Sequence, residues 1–384
     1  MIRELPDVLC LSHLRWSFVY QRPNHLMARW ARDRRVFFVE EPHFDAESPR
    51  LDVDLVSPRL HVVTPHLPGG LAPARAELLQ RELVSTLAEQ QQIEQPIRWF
   101  YTPVALAWAG HVPARVTVYD CMDELSHFLG APATLAAREK ELFAAADLVF
   151  TGGQSLYEAK RAEHPRVHAF PSSVDLEHFR AARHAQSDPL DQAPLRRPRV
   201  GFFGVIDERM DLDLLGRTAE LCPELEFVLL GPVVKIEPAS LPRLPNVHWL
   251  GPKRYEELPR YIAGWNVAMM PFARNDATKF ISPTKTLEYL AAGKPVVSTS
   301  IRDVVRPYGE EGLARIADSP KDFAAAVRAA LADPLENPQR ERLLARTSWD
   351  ATFEKMRRLV EAAQLGKTEH NEGGGSIACT TISS

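Results

Sequence analysis

Ser282, Pro283, Thr284 and Lys285 stand at the start of what the sequence marks as a helix, with Glu288 one turn further along. Pro283 opens that helix, Gly293 stops it, and Pro295 to Ser298 follow as a buried strand. The first turn of a helix carries unpaired N–H groups and a partial positive charge, so Ser282 to Lys285 can hold an anion such as a diphosphate. Lys285 adds a full charge there. Glu288, on roughly the same face, can accept hydrogen bonds from a pair of sugar hydroxyls. Diphosphate beside ribose is a nucleotide. The same spacing also describes a solvated (i, i+3) ion pair on an ordinary helix, so the rest of the chain has to decide.

Two carboxylates form a second candidate group. Val116 to Asp120 reads as a strand, and Asp123 lies on the turn after it. Both then sit at the carboxyl edge of a sheet, where α/β proteins bind ligands. Either can act as a general base or cap the loop by accepting backbone N–H groups, with Glu124 and His127 as further options. A third group lies in the loop His13 to Arg22 and just beyond it. Trp16 can stack on a sugar ring or anchor a core. Tyr20, Gln21, Arg22 and His25 can bind an acceptor or a phosphate, although a helical histidine is commonly structural and Arg22 beside Pro23 also fits a cation at a helix start. No G-x-G-x-x-G follows the first strand, which argues against a dinucleotide site.

The elements that would position these groups alternate in type. Val8 to Ser12, Val36 to Glu40, Arg59 to Thr64, Ile97 to Tyr101, Val116 to Asp120 and Asp147 to Thr151 are short apolar strands separated by helical patterns, with Ser155 placed to cap one helix. Strand, helix, strand at this spacing implies a parallel sheet. Ala181 to Pro198 has three prolines and no apolar periodicity, and reads as a linker. A second series of strands follows at Arg199 to Gly204, Glu226 to Gly231, Val247 to Leu250 and Val267 to Pro271. The expected organisation is therefore α/β, with an N-terminal domain over 1–180, a linker over 181–198 and a second domain over 199–347. A final helix over 348–365 can cross back to the first domain, and a tail over 366–384, rich in Gly, Ser and Thr, is expected to be disordered.

At 384 residues the chain exceeds what one ordinary core supports, and its 45% hydrophobic and 25% charged residues are globular values. A formal net charge of −4 argues against nucleic-acid binding driven by phosphate neutralisation. Arg29, Arg32, Arg34 and Arg35 form a local basic cluster that is either a solvated helix face or a contact for anionic lipid headgroups. The four cysteines are far apart and lack C-x-x-C spacing, which fits a reducing compartment and no zinc site. No run of about 18 apolar residues is present, and the N-terminus lacks a signal-peptide layout. The expectation is a cytoplasmic protein, with peripheral contact at the inner membrane face as an extension of that reading.

The second half carries P-S-S-V-D-L-E-H-F at Pro171 to Phe179, then Gly201 to Gly204, Gly231-Pro232, N-V-H-W-L-G-P at Asn246 to Pro252, Y-E-E-L-P-R-Y at Tyr255 to Tyr261 and T-L-E-Y-L-A-A-G-K-P-V-V at Thr286 to Val297. In this order the motifs resemble those of a known family, the GT4-like glycosyltransferases of GT-B architecture. The first is similar to the family's interdomain P-N-G-V-D-x-x-x-F and the last to its L-E-A-M-A-x-G-x-P-V-V. In the first half, V-Y-Q-R-P-N-H-L and V-F-F-V-E-E-P are similar to bacterial enzymes of teichuronic-acid and exopolysaccharide synthesis.

The resemblance implies two facing Rossmann-like domains and transfer of a sugar from a UDP or GDP sugar to a hydroxyl of a polysaccharide, glycolipid or other glycoside. A GT-B nucleotide-sugar epimerase and a non-catalytic sugar-nucleotide-binding partner are the alternatives. It further implies a donor site at Gly204, Arg209, Lys253, Tyr255, Ser282, Thr284, Lys285 and Glu288, with the loop Lys253 to Tyr255 holding the base mainly through backbone groups. No cofactor and no essential metal are implied, because such enzymes meet the diphosphate with helix N-termini and cations. Two departures stand around the sugar and its phosphates. Phe280 occupies the position, eight residues before Glu288, of a sugar-contacting glutamate, and Val205 follows Gly204 where a cation is usual, leaving Arg209 as the nearest one.

Overall fold

The computed structural model describes residues 5–184, 187–333 and 338–373, with 367–373 given by their helical backbone alone. The first sheet is built from β1 (Val8–Leu11), β2 (Val36–Val39), β3 (Arg50–Ser57), β4 (Leu60–His66), β5 (Ile97–Phe100), β6 (Val116–Cys121), β7 (Leu148–Thr151) and β8 (Val167–Ala169). Its order is β3-β4-β2-β1-β5-β6-β7-β8, parallel except for the β3–β4 hairpin. The second sheet contains β9 (Arg199–Phe203), β10 (Glu226–Leu230), β11 (Val247–Trp249), β12 (Val267–Met270), β13 (Val296–Ser298) and β14 (Arg315–Ile316). It is wholly parallel, in the order β11-β10-β9-β12-β13-β14.

The central strands are continuous apolar runs because both sheet faces are covered. Val8, Cys10 and Trp99 pack to one side of the first sheet, and Leu9, Leu11 and Phe100 to the other. The second sheet is divided in the same way, with Ala268 and Met270 on one face and Val267 and Met269 on the other. In each sheet the strand order reverses about one strand, β1 in the first and β9 in the second. The crevices at such switch points lie beyond the carboxyl ends of the strands, so the loops after β1 and β9 lead directly to the cleft. β3 is an addition to the expected strands. Its alternation of Leu51, Val53 and Leu55 with Asp52 and Asp54 is strand-like, and its acidic, largely exposed positions suit an edge.

The linker lies elsewhere than composition indicates. Phe170 belongs to the core of the first domain and Val174 to that of the second. Leu344 and Trp349 show the same change in the opposite direction. The chain therefore crosses between domains at 171–173 and again at 345–348, and the crossings touch through Val174 N–H to Thr347 O (2.9 Å) and Ser173 Oγ to Thr352 Oγ1 (2.7 Å). The described parts of that stretch, 181–184 and 187–198, are instead attached to the second domain. Arg183 Nε donates to Ala291 O at 2.8 Å, and fully buried Gln192 bonds Tyr261 O and the Trp265 indole at 3.0 and 2.9 Å.

The last helix, Trp349–Gly373, returns to the first domain, where Trp349, Phe353 and Met356 enter the core and Asp350 pairs with Arg29 and Arg32. It continues past the expected end at 365. The rest of the expected tail, 374–384, lies outside the described residues. No helix among the described residues is long and apolar enough to cross a membrane.

The two domains also meet across the cleft. The helix Gln154–Lys160 is capped from the second domain by Asp303, whose Oδ1 accepts from Ser155 N at 3.0 Å. Ser155 is thus the capped residue and its own hydroxyl does not cap. Arg302 pairs with Glu158, and Ser172 Oγ donates to Ser282 O at 2.9 Å. A Cβ on Gly153 would lie 2.4 Å from Asp303 Oδ2 and 2.9 Å from Ser282 Cβ. Gly153→Ala is therefore expected to push the domains apart, giving a larger radius of gyration in small-angle X-ray scattering with native secondary structure retained.

Candidate functional site

Two adjoining cavities occupy the cleft and share Val19, Tyr20, Gly204, Lys285 and Glu288. The larger, about 520 Å³, is walled by Pro252 to Glu256 and Gly231-Pro232 of the second domain and by Trp16 to Tyr20 of the first. The smaller, about 140 Å³, is bounded by Ser282 to Lys285 and Arg209 on one side, and by Gln21, Arg22, His25, Asp123 and Ser172 on the other.

The helix Thr284–Ala291, with Pro283 as its N-cap, points its first turn into the smaller cavity. Lys285 and Glu288 form the wall between the cavities, with Nζ 3.1 Å from Glu288 Oε2. Glu288 is only 4% exposed, and Lys285 also lies over the Phe203 ring at 4.6 Å. Gly204 permits this approach. Its φ of +148° favours glycine, and a Cβ there would stand 3.3 Å from Lys285 Cε.

The cations of the cleft arrive already paired. Arg209 grips Asp207 with Nε at 2.9 and 3.1 Å and Nη2 at 2.7 Å, and its guanidinium faces the Phe128 ring of the first domain at 5.4 Å. Lys253 lines the larger cavity, but its ammonium is bound by Asp191 at 2.8 Å. Tyr255 lines the same cavity and has near-parallel rings beside it, His178 at 4.1 Å and Tyr20 at 4.5 Å. Two such rings at those centroid distances occupy opposite faces, so Tyr255 is part of an interdomain stack and offers only its edge. Sequence reasoning missed Asp207, and with it the fixed orientation of Arg209.

The two candidate carboxylates separate sharply. Asp120 is fully buried and does not open into the cleft as expected. Arg22 Nε lies 3.1 Å from both its oxygens and Nη2 lies 2.7 Å from Oδ1, while Arg22 Nη1 bonds Phe170 O at 2.8 Å. This pair ties the helix Arg22–Trp30 to β6 and to the end of β8, and Asp120 acts as a counter-ion. Asp123 lines the smaller cavity. Burial pushes its carboxyl up from 3.8 to about 6, opposed by Arg209 and Arg22 and assisted by Asp207. A carboxyl in that range is ionised at neutral pH and basic enough to accept a proton.

The remaining residues of the first loop are divided between cavity and core. Trp16 lines the larger cavity and also meets Phe38 edge-on at 5.1 Å. His25 reaches the smaller cavity, yet it stacks on Trp349 at 4.7 Å, and burial, assisted by Arg29, holds its pKa well below the usual value. Gln21 lines the smaller cavity, with its backbone N–H on Asn24 Oδ1 at 3.0 Å. Phe280 stands outside both cavities and faces His127 of the first domain at 5.8 Å, so the residue replacing the usual glutamate serves the interdomain contact. The basic cluster near the start is paired as well: Arg29 and Arg32 with Asp350, Arg34 with Asp33, and Arg35 with Asp7.

Residues 197–333 match the family model of group 1 glycosyl transferases. TuaH of Bacillus subtilis (strain 168), assigned to teichuronic acid biosynthesis as a glycosyltransferase, is 32% identical over 201 residues, which span half of this chain and half of that relative's length. Among solved structures, sucrose-phosphate synthase from Thermosynechococcus elongatus superposes with a TM-score of 0.65 at 16% identity, covering 97% of this chain and 100% of that one. The UDP-forming α,α-trehalose-phosphate synthase of Burkholderia vietnamiensis gives 0.68 at 13% identity, covering 94% of this chain and 99% of that one. The E. coli trehalose-6-phosphate structure bound with UDP-2-fluoro glucose gives 0.67 at 12% identity, with coverage of 93% and 99%. Residues 197–333 are therefore similar to the group 1 glycosyl transferases, and the chain as a whole has the GT-B fold.

Proposed function

We propose that the protein transfers a sugar from a nucleoside-diphosphate sugar to a hydroxyl of a glycan or glycolipid acceptor. The observation that carries this reading is the pair of adjoining cavities with Lys285 and Glu288 as their common wall. The nucleoside occupies the larger cavity, with its ribose hydroxyls on Glu288 and its base against the backbone of Lys253 to Tyr255. The diphosphate meets the first turn of the helix at Thr284, together with Lys285 and Arg209, and needs no divalent ion. As the bond from anomeric carbon to phosphate breaks, the growing charge on the leaving diphosphate is stabilised by these fixed donors. Asp123, across the smaller cavity, accepts the proton of the incoming hydroxyl. Gln21 and Trp16 help to hold the two substrates. Exposed Phe18 and Leu129 suit a glycolipid acceptor, whereas the paired arginines Arg29 and Arg32 lend no support to a membrane contact.

Glu288→Ala removes charged hydrogen bonds to the ribose, each worth about 1.5–3 kcal/mol. Affinity for UDP or GDP in calorimetry is expected to fall at least about tenfold, since about 1.4 kcal/mol is a factor of ten. Unchanged affinity for both would refute the donor assignment. A panel of UDP and GDP sugars then tests the reaction. Release of nucleotide with glycosylated product supports transfer, interconversion of the sugars would indicate an epimerase, and binding without turnover would leave a sugar-nucleotide-binding partner.

A further inference from the structure

Beneath the loop that carries Asp123 lies a buried group of charges that the proposed reaction does not use. Lys160, the last residue of the helix Gln154–Lys160, places its ammonium 2.6 Å from Glu124 Oε2 and 2.6 Å from Glu139 Oε2. Both glutamates are 9% exposed. The other oxygen of each is also engaged, Glu139 by the Tyr119 hydroxyl at 2.8 Å and Glu124 by Ser126 Oγ at 2.6 Å. The Cys121 thiol lies 3.6 Å from Asp123 O and 3.7 Å from Glu139 Oε1. Asp123 is thus flanked by two anchored neighbours, Cys121 on β6 and Glu124.

We infer that Lys160 is the positioning residue of the Asp123 loop: its ammonium binds Glu124 to Glu139 and so sets the carboxylate of Asp123 at the cleft. This rests on the reading of Asp123 as the proton acceptor. Removing one partner of a buried ionic group leaves uncompensated charge, a large penalty that the loop can relieve only by moving. Without Lys160, the two glutamates repel, Glu124 is released toward solvent, and the peptide of Asp123 shifts with it. The groups facing Asp123 itself are Arg22, Arg209 and Asp207, while those facing Lys160 are Glu124, Glu139, Cys121 and the Phe143 ring. None of these but Lys160 supplies a positive charge between the glutamates. Its loss adds negative potential beneath Asp123 and moves the acidic limb of the pH profile upward.

The test compares Lys160→Met, Lys160→Arg and Lys160→Met/Glu139→Gln with wild type, using release of nucleotide from the UDP or GDP sugar that wild type turns over fastest. Lys160→Met is expected to lower kcat at least about tenfold with unchanged donor KM, and to shift the acidic limb to higher pH. Lys160→Arg should restore kcat and the limb, and the double variant, which removes the excess charge, should restore the limb. The double variant also serves if Lys160→Met does not fold. A folded Lys160→Met with wild-type kcat and an unshifted limb overturns the inference, as does a double variant with wild-type kcat, because it too lacks the ammonium that positions the loop. Asp123→Asn is run in parallel: if it keeps the wild-type acidic limb, the proton-acceptor reading fails and takes this inference with it. If it loses the limb while Lys160→Met behaves as wild type, only the positioning role fails.

Discussion

Asp123→Asn is expected to lower kcat by about 10²- to 10⁴-fold, the usual contribution of a general base, and at the same time to make the protein harder to unfold at neutral pH. Both effects come from the burial that raises the carboxyl from 3.8 to about 6. Between those values the native protein holds a proton that the unfolded chain has released. Stability conferred by this group is therefore full below about pH 4 and is lost as pH rises through about 6. At about 1.4 kcal/mol per tenfold change in proton affinity, carrying the ionised carboxylate at pH 7 costs on the order of 3 kcal/mol. Asparagine has no such cost, so the variant should gain about 1–3 kcal/mol at pH 7 and little at pH 4. Denaturant unfolding at the two pH values, together with nucleotide release, checks both halves. A variant that is inactive yet shows the wild-type dependence of stability on pH would show that Asp123 is not the raised group.

Asp120→Ala is expected to have the opposite profile. It leaves the Arg22 guanidinium, 5% exposed, without its counter-charge, and breaking a buried ion pair by removing one partner costs about 3–5 kcal/mol. The double variant Arg22→Met/Asp120→Leu removes both charges and should regain most of that loss, because the desolvation of the pair largely offsets its attraction. Urea unfolding of the single and double variants measures the coupling. If Asp120→Ala unfolds at the wild-type midpoint, the pair does not hold the helix Arg22–Trp30 to the sheet.

These neighbouring carboxylates mark the limit of what could be read in the chain. That both stand at the carboxyl end of β6 follows from the apolar run Val116 to Tyr119 and the turn after it. Which one reaches the cleft depends on Arg22, 98 positions away, and no local pattern reports that. The same holds for Ser155 and its cap, Asp303, 148 positions distant. The helix start at Pro283 and the strands of both sheets, β3 and β14 excepted, were legible because their signals are local: a proline, a glycine with φ of +77° at Gly293, and runs of buried aliphatic residues. Ala181 to Pro198 misled for a related reason. Its polar residues look solvated in sequence, yet Gln192 is buried by partners some 70 positions away. Lys253 likewise shows a free charge in sequence and a paired one in the fold.

The two chain crossings at 171–173 and 345–348 lie side by side and are bonded to each other. Two strands joined at one place act as a hinge, and a hinge permits rotation about a single line far more readily than translation. Displacement then grows with distance from that line. A contact at the crossings, such as Ser172 on Ser282, moves little for a given turn, and a contact made away from them, such as Phe128 on Arg209 and Lys235, moves more. A cleft turning about that line would open as a wedge, with an almost preformed surface for whichever substrate seats nearest the crossings and the swing left to enclose the other.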